Sequence, residues 1–285
     1  MKIVQVIGGL GNQMFQYAFY SALKAHYKNV EIDTSLFSRY KLHNGFELAN
    51  IFGVQFKEAS LSKRLQLSFH GGDVFSSILR KLIQRRGTEY IEEYLKYDEH
   101  VLDDSSNLYY IGYWQSYKYF SFIESEIRKN FIFPIPQIDN YNKNLRNIIL
   151  SSNSVSIHIR RGDYVGNSVY EDIATLDYYQ RALDYMDRNV SNMKIFLFSN
   201  DVEWCLRNLN LHNCTAVSHN TGANSFWDMY LMSSCKHNII ANSSFSWWGA
   251  WLNTNLDKIV ISPKRWINDN RVSIDDIIPA TWICL

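Results

Sequence analysis

The sequence predicts an α/β protein built on parallel sheets with helices on both faces, and three observations predict it. The chain opens with a strand, a glycine loop, a helix and a second strand, which together form a β-α-β unit. Beyond residue 154, short apolar strands alternate with helical segments. One of these strands, in IFLFSND at 195–201, is a continuous apolar run, as expected for a strand that is covered on both faces.

Length and composition limit the classes of protein that fit. The 285 residues suit one or two domains, and 46% apolar with 20% charged residues excludes a disordered chain. The net charge of +1 argues against a general nucleic-acid binder, which carries a large basic excess. The proline-containing run FIFPIP at 131–136 interrupts the pattern, and we predict an N-terminal domain at 1–150 and a C-terminal domain at 151–285.

Neither a metal framework nor a targeting segment is predicted. The cysteines have no CxxC spacing and form no cluster with zinc-ligand spacing, so we expect reduced thiols at Cys205, Cys214, Cys235 and Cys284. The apolar run at 3–7 is too short for a signal-peptide core, and repeated Asn and Ser exclude a membrane span at 238–256. We therefore expect a cytoplasmic protein.

The predicted elements follow the hydrophobic periodicity. Strands are expected at 2–7, 30–33, 108–113, 155–159, 194–198, 215–217, 237–241 and 258–262, and helices at 12–27, 177–189 and 245–252. A basic amphipathic helix is predicted at 74–86, because six apolar residues including Ile83 fall on one face and Arg80, Lys81, Arg85 and Arg86 project elsewhere. The segment 57–86 holds seven basic and two acidic residues. An ordinary packed helix is one interpretation, and a weak peripheral contact with an anionic membrane is our hypothesis.

The glycine loop GGLGNQ at 8–13 is open to two interpretations. With acidic residues Glu31 and Asp33 about 20 positions later, it resembles a dinucleotide-binding loop of an NAD-dependent oxidoreductase. However, Met14 occupies the position of the third glycine, where its bulk prevents close helix packing. We therefore favour a loop that places backbone N–H groups and the Asn12 amide in a binding cleft.

The richest stretch is VSIHIRRGDY at 155–164. Side chains alternate along a strand, so His158 and Arg160 share one face. Gly162 permits a sharp turn, after which Asp163 returns a carboxylate toward the arginines. The planar fork of an arginine matches phosphate or carboxylate, which suits a site for a phosphorylated ligand. A surface strand end with a local Arg–Asp pair is the alternative.

Polar residues follow several predicted strands at the points where these strands end. They are Gly8–Asn12, His158 and Arg160, Ser199–Asp201, and Asn242–Ser244, while Trp114 and Gln115 end the strand at 108–113. Ligands of open parallel sheets bind at the carboxyl ends of strands, so we expect a shared cleft. Ser243 or Ser244 is expected to cap a helix whose N-terminus favours phosphate. Asp201 suits the N–H groups of guanine but also suits a plain helix cap, and Trp114 is either a sugar-stacking ring or core.

Four motifs carry a resemblance to a known family. GGLGNQMFQYA at 8–18, IGYWQS at 111–116, HIRRGDY at 158–164 and IANSSFSWWGAWL at 240–252 resemble glycosyltransferase family 11, the α-1,2-fucosyltransferases, in the family's order. The resemblance implies a GT-B fold of two Rossmann-like domains facing a cleft. It further implies inverting transfer of fucose from GDP-β-L-fucose to the 2-hydroxyl of a terminal galactose, without a metal or other cofactor, as in bacterial oligosaccharide biosynthesis.

The resemblance also implies roles for individual residues. By similarity, Arg160 contacts the β-phosphate, His158 contacts the nucleoside side, and the asparagine of the family's glycine loop is Asn12. Combining resemblance and chemistry, we expect catalytic roles for Arg160, Asn12 and Asp163. We expect donor contacts from Gly9, Gly11, His158, Arg160, Arg161, Asn200, Asp201, Asn242, Ser243 and Ser244, and acceptor contacts from Trp114 and Gln115.

Two points remain at the level of sequence. Arg161 lies on the apolar face, so we predict that it is chiefly a structural partner of Asp163. No residue identifies itself as the general base, because Asp163 paired with arginine is a poor base. The 15% aromatic content suggests a non-catalytic glycan-binding protein as a further alternative, although a lectin needs no diphosphate site.

Overall fold

The computed structural model describes residues 1–39, 42–82 and 86–285, and its chain divides into two compact units, Met1–Phe133 and Pro134–Leu285. The division falls inside FIFPIP, whereas the predicted ranges were 1–150 and 151–285. The difference is the segment that contains a helix at Asn140–Leu150. This helix packs against a strand and a helix of the second unit, so its contacts place it there.

The first unit contains a four-stranded parallel sheet with the order β2-β1-β4-β3. The strands are β1 (Lys2–Gln5), β2 (Val30–Asp33), β3 (Glu89–Ile91) and β4 (Leu108–Ile111). The helices are α1 (Leu10–His26), α2 (Leu48–Phe52), α3 (Leu61–Leu67), α4 (Val74–Leu82) and α5 (Glu124–Asn130). Almost every residue of α1 from Leu10 to Leu23 is buried, and the buried amides of Gln13 and Gln16 are satisfied by backbone partners.

The second unit contains a six-stranded parallel sheet with the order β10-β9-β8-β5-β6-β7. The strands are β5 (Asn153–Ile159), β6 (Met193–Ser199), β7 (Cys214–Val217), β8 (His237–Ile239), β9 (Val260–Ser262) and β10 (Ile283–Cys284). The helices are α6 (Asn140–Leu150), α7 (Leu176–Asn189), α8 (Val202–Asn208), α9 (Phe226–Ser234), α10 (Ser244–Leu252) and α11 (Ile274–Ile277). The alternation of strands and helices predicted beyond residue 154 is confirmed.

The central strand of this sheet is β5, which pairs with β6 on one side and β8 on the other. Val155, Ile157 and Ile159 enter the apolar core on one face. Helix α7 covers this core with its buried residues and is capped by Thr175, whose hydroxyl accepts the Tyr178 N–H at 3.2 Å. The carboxyl end of β5 is thus held in the middle of a rigid sheet.

Three further sequence expectations concern the cysteines, a membrane span and the amphipathic helix. The four cysteine thiols are unpaired, and Cys205 and Cys235 are buried. Within 1–39, 42–82 and 86–285, no helix has the length and apolarity that crossing a bilayer requires. The predicted amphipathic helix 74–86 corresponds to α4, which is described to Leu82; Ile83 and Arg85 lie outside the described residues.

Candidate active site

Three predicted polar clusters of the second unit follow neighbouring strands. HIRRGDY follows β5, Ser199–Asp201 end β6, and Asn242–Ser244 follow β8. Because these strands are parallel and adjacent, their carboxyl ends lie at one edge of the sheet. The structure therefore brings together the donor residues predicted in this unit.

Arg160 is the cation at the centre of this edge. Its Nε donates to Asp163 Oδ1 at 2.7 Å, and the guanidinium also lies 5.8 Å from the centre of the Tyr164 ring. Among the residues that the structure describes, its two terminal amino groups have no hydrogen-bond partner. Asp163 thus holds the fork by one side and leaves the other side able to bind an anion.

Arg161 does not pair with Asp163, and that prediction is wrong. Its Nε donates to Asp201 Oδ2 at 3.1 Å, and its guanidinium stacks on the Trp204 ring at 3.6 Å. Arg161 lies beyond the end of β5 with a helical-region backbone, and its side chain extends to α8 rather than toward Asp163. Trp204 was not singled out in the sequence, since a tryptophan inside a helix is usually core.

Of the two roles predicted for Asp201, the structure shows the helix cap. Its carboxylate caps α8 by accepting the Trp204 N–H at 3.2 Å, and its other oxygen accepts from Arg161. Both carboxylate oxygens therefore already have protein donors. A contact with guanine requires the base to share these oxygens.

Gly162 and Asn200 are fitted to each other. Asn200 Oδ1 accepts the backbone N–H of Arg161 at 2.9 Å, and a Cβ at Gly162 would lie 2.1 Å from Asn200 Nδ2. Glycine is needed here for close approach. This contact ties the carboxyl end of β6 to the turn that follows β5.

His158 is buried, and its Nδ1 has no partner among the described residues. Burial, and secondarily the charge of Arg160, lowers the pKa of His158 to about 3. The imidazole is therefore neutral at physiological pH. His158 therefore adds no positive charge to this edge.

Tyr164 connects β5 to the N-terminus of α10, a role that the sequence did not reveal. Its hydroxyl donates to the Asn242 carbonyl at 3.0 Å, and its ring stacks on Tyr170 with centres 4.7 Å apart. Burial raises the pKa of Tyr164, so its hydroxyl stays neutral. In the sequence, only the position of Tyr164 at the end of HIRRGDY pointed to this residue.

The three residues at the start of α10 differ in role. The Asn242 amide donates to the carbonyls of Tyr170 and Trp266 at 3.3 and 3.1 Å, so this side chain holds two loops rather than pointing an amide at a phosphate. Ser243 is the N-cap residue, although its side chain makes no capping hydrogen bond. Ser244 begins the helix and is partly exposed. The groups that this segment directs away from its own loops are thus the N–H groups of the helix N-terminus.

The glycine loop of the first unit has the geometry of a tight turn into α1. Gly8 has φ +93°, which favours glycine, and a Cβ there would lie 2.9 Å from Asn12 Nδ2. Gly9 is the N-cap residue, and Gly11 is already in the first helical turn. The sequence interpretation centred on Gly9 and Gly11 and therefore missed that Gly8 is the position with a positive φ.

Asn12 and Gln115 meet, as two predicted site residues of the first unit. Gln115 Nε2 donates to Asn12 Oδ1 at 2.8 Å, joining the glycine loop to the segment after β4. Gln16 reinforces this connection, since it accepts from the Ile7 N–H and donates to the Gly112 carbonyl, at 3.0 and 2.9 Å. The motifs GGLGNQ and IGYWQS thus form one structure.

Trp114 is core, so its predicted role as an acceptor-stacking ring is wrong. The side chain is 0% exposed and stacks on Phe19, with ring centres 4.0 Å apart and planes 4° apart. The backbone at Trp114 has φ +56°, in the left-handed region. The indole enters the core, and the side chain of the next residue, Gln115, reaches Asn12. A sugar has no face of this indole to contact.

Glu92, at the end of β3, holds that turn. Its carboxylate accepts the N–H groups of Tyr113 at 2.7 Å and Trp114 at 3.0 Å. Burial raises the pKa of Glu92 to about 7, although these N–H groups oppose the shift. The sequence offered no signal for Glu92, because its partners lie about 20 residues away.

Asp33, which favoured the oxidoreductase interpretation, is not available to a ribose. It is fully buried, and its carboxylate accepts from the Tyr109 hydroxyl at 2.5 Å and the Ser35 N–H at 2.9 Å. Arg64 lies 3.5 Å from the same carboxylate. Met14 is also fully buried in α1, where the dinucleotide pattern requires glycine.

Across the part of the chain that the structure describes, no three His, Cys, Asp or Glu side chains are grouped closely enough to hold a metal ion.

Comparison with known proteins identifies relatives along the whole chain. An α-1,2-colitosyltransferase of Escherichia coli is 34% identical over 99% of this chain and 97% of its own length. The O-antigen biosynthesis glycosyltransferase WbnK of Escherichia coli is 35% identical over 98% of each chain. Galactoside α-(1,2)-fucosyltransferase 2 of Hylobates lar is 25% identical over 88% of this chain and 69% of its own length.

A solved structure shares the fold. NodZ α-1,6-fucosyltransferase soaked with GDP-fucose aligns with a TM-score of 0.53 at 18% identity, covering 88% of this chain and 91% of NodZ. This similarity, with the two parallel sheets, confirms the predicted GT-B type fold with two Rossmann-like units. The sequence profile of glycosyl transferase family 11 matches residues 78–285. Together with the full-length relatives, this match shows that the chain belongs to glycosyltransferase family 11.

Proposed function

We propose that this glycosyltransferase moves L-fucose from GDP-β-L-fucose to the 2-hydroxyl of a terminal galactose, with inversion at the anomeric carbon and without a metal ion. One observation carries the proposal. Arg160 lies at the carboxyl end of the central strand, is oriented by Asp163 through Nε, and keeps two amino groups without protein partners among the described residues. A fixed arginine fork of this kind suits a diphosphate.

Arg160 acts on the leaving group. Cleavage of the bond between fucose C1 and the phosphate oxygen leaves GDP with one more negative charge and gives the sugar oxocarbenium character. A preorganised cation beside the β-phosphate binds this charge more strongly in the transition state than in the ground state, which accelerates the reaction. Asp163 is then a positioning residue, because it fixes the arginine without contacting the sugar.

The N-terminus of α10 supplies a second source of positive potential. Its first-turn N–H groups and the Ser243 and Ser244 hydroxyls suit the phosphate oxygens, since helix N-termini favour anions. Tyr164 ties this helix end to the Arg160 strand through the Asn242 carbonyl. His158 is neutral, so we place it against the uncharged nucleoside part of the donor.

In the first unit, we propose Gln115 and Asn12 as the polar pair that contacts sugar. Both side chains end in an amide, and they are hydrogen-bonded to each other. Amides of this kind both donate to and accept from the hydroxyls of a sugar. Trp114 is not part of this proposal.

A second donor has specific support. The 34% identical relative is an α-1,2-colitosyltransferase, and colitose is fucose without its 3-hydroxyl. A GDP-linked colitose presents the same diphosphate to Arg160. The choice between the two donors therefore depends on contacts to one sugar hydroxyl.

A panel assay tests the proposal. The purified chain is incubated with GDP-fucose or GDP-colitose and a set of β-galactosides, and products are analysed by mass spectrometry and NMR. We expect an α-1,2-linked fucosyl galactoside and free GDP. Transfer of colitose alone would assign the second donor, and release of neither sugar would contradict the proposal and favour a glycan-binding protein.

Nucleotide preference provides an independent prediction. We expect GDP to raise the melting temperature and NAD to leave it unchanged, because Met14 and the buried Asp33 do not suit a dinucleotide. A nucleotide at 100 times its Kd stabilises the native state by about 2.7 kcal/mol. Differential scanning fluorimetry with matched concentrations measures this effect. A shift with NAD and none with GDP would restore the oxidoreductase interpretation.

The effect of a metal chelator on the rate is a further prediction. We expect turnover in excess EDTA to equal turnover in buffer alone. The physical reason is that Arg160 and the α10 N-terminus supply the positive charge that magnesium supplies in many nucleotide-sugar enzymes. The measurement is the initial rate of GDP release after dialysis against EDTA. Loss of the rate, with recovery on adding Mg²⁺ or Mn²⁺, would contradict the metal-independent mechanism.

A further inference from the structure

Helix α4 exposes its apolar side chains. Val74, Phe75, Ile78 and Leu82 are 61%, 65%, 51% and 76% exposed, respectively. The one buried side chain of the helix is Ser76. An amphipathic helix of a globular protein normally turns its apolar stripe toward the core, so this orientation is the reverse of the usual one.

Polar contacts hold the helix in this orientation. The Ser76 N–H and hydroxyl donate to the two carboxylate oxygens of Asp73 at 2.8 and 2.7 Å. Arg39 Nη1 donates to the Ser77 hydroxyl at 2.8 Å. Arg64 lies 3.4 Å from Asp73, so the hydroxyl side is tied to the protein through Arg39 and Arg64, and the apolar side is presented outward.

The charges beside this face are positive. Arg80 and Lys81 are exposed and have no ion-pair partner among the described residues, and 74–82 contains no acidic residue. Lys81 follows Val74 by seven positions and Ile78 by three, so it borders the apolar face, whereas Arg80 projects from the other side of the helix. The wider basic excess is largely neutralised, since Lys57 and Lys63 pair with Glu31 and Arg64 lies between Asp33 and Asp73.

We infer that the α4 face, formed by Val74, Phe75, Ile78 and Leu82 with Lys81 at its edge, binds the surface of an anionic lipid bilayer. Exposed apolar groups beside cations match the acyl boundary and the phosphate headgroups, respectively. A second copy of the chain fits less well. A two-fold contact through this face brings the same cations of both copies together, where they repel each other.

The binding is expected to be reversible and of mixed character. A nine-residue helix offers few apolar side chains, and Lys81 is the cation of the described helix that borders them. Apolar contact therefore contributes most of the affinity, and salt weakens the binding without abolishing it. This inference does not depend on the identity of the donor or acceptor.

Vesicle flotation tests it. The full chain is mixed with phosphatidylcholine vesicles, with or without phosphatidylglycerol, and floated on a density gradient. We expect binding to the anionic vesicles, and about a tenfold lower partition coefficient for the double variant Phe75→Gln, Ile78→Gln. Lys81→Gln should lower it about fivefold at low salt. The matched control is Leu256→Gln in the second unit, where Leu256 is 98% exposed and should not contribute.

Three results would overturn the inference. These are no flotation of the unaltered chain, equal loss for the double variant and the Leu256 control, and a dimer in analytical ultracentrifugation that the double variant abolishes. The last would assign the face to a second copy. GDP release with a water-soluble acceptor should be unchanged in the double variant, which separates loss of membrane binding from misfolding.

Discussion

Arg160→Ala is expected to reduce the rate of sugar transfer by more than 100-fold. The guanidinium is the group that we place beside the departing diphosphate, and removing one preorganised donor from a developing oxyanion costs about 3 kcal/mol. A loss of this size corresponds to more than a hundredfold in rate. The loss should appear mainly in kcat, because the charge that Arg160 stabilises develops in the transition state.

The lysine variant separates charge from geometry. Arg160→Lys keeps the positive charge but loses Nε, which donates to Asp163, and the fork that binds two oxygens. We expect it to remain at least tenfold impaired, about 1.4 kcal/mol. Arg181→Ala is the matched control, since Arg181 lies on α7, pairs with Asp177 at the surface and should be near normal. Full activity of the lysine variant would show that Arg160 has been given the wrong role.

Trp114→Ala is expected to destabilise the first unit by about 3 to 5 kcal/mol, the usual cost of removing a large buried aromatic side chain. The indole is fully buried and stacks on Phe19, and its ring centre lies 5.8 Å from that of Tyr119 in an edge-to-face arrangement. Urea unfolding followed by circular dichroism measures the change. The neighbouring variant Tyr113→Ala, at a 39% exposed side chain, is the control and should cost much less.

A conservative variant completes this test. Trp114→Phe retains an aromatic ring against Phe19, so we expect a smaller loss of stability and an unchanged KM for the acceptor. The side chain of Gln115, by contrast, reaches Asn12, and Gln115→Ala should raise that KM. A stable Trp114→Ala enzyme with a raised acceptor KM would mean that the indole contacts sugar after all.

The grouping of polar residues at the carboxyl edge of the second sheet was largely predictable because its signals are local. His158, Arg160 and Asp163 lie within six residues, and the ends of parallel strands are where ligands bind. The strand predictions near 155–159, 194–198 and 237–241 were accurate enough to place three polar clusters at one edge. Their adjacency followed once β5 proved central.

Partners separated by many residues were not predictable in the same way. Arg161 lies two residues from Asp163 but pairs with Asp201, and Asn242 holds the carbonyls of Tyr170 and Trp266. Each of these pairings depends on strand order and on the direction of a side chain in the folded sheet. Alternation along β5 does not determine where Arg161 points, because the strand ends at Ile159.

Two residues show where pattern and structure diverge. Trp114 has the sequence context of a sugar-stacking ring, yet its left-handed backbone directs it into the core. Glu92 has no motif, yet it holds the N–H groups of the turn that presents Gln115. The burial of a side chain and the dihedral angle of its backbone depend on tertiary packing. Neither can be predicted from the spacing of residues in a short motif.

The sequence by itself determined the α/β class, the family, the strand ends that carry the site and the arginine that we place at the diphosphate. These follow from periodicity and from residues that are neighbours in the chain. Only the tertiary structure decided that Arg161 pairs with Asp201, that Trp114 and Asp33 are core, and that α4 turns its apolar face outward. The physical reason is that burial and pairing depend on which distant segments meet, whereas local conformation depends mainly on adjacent residues.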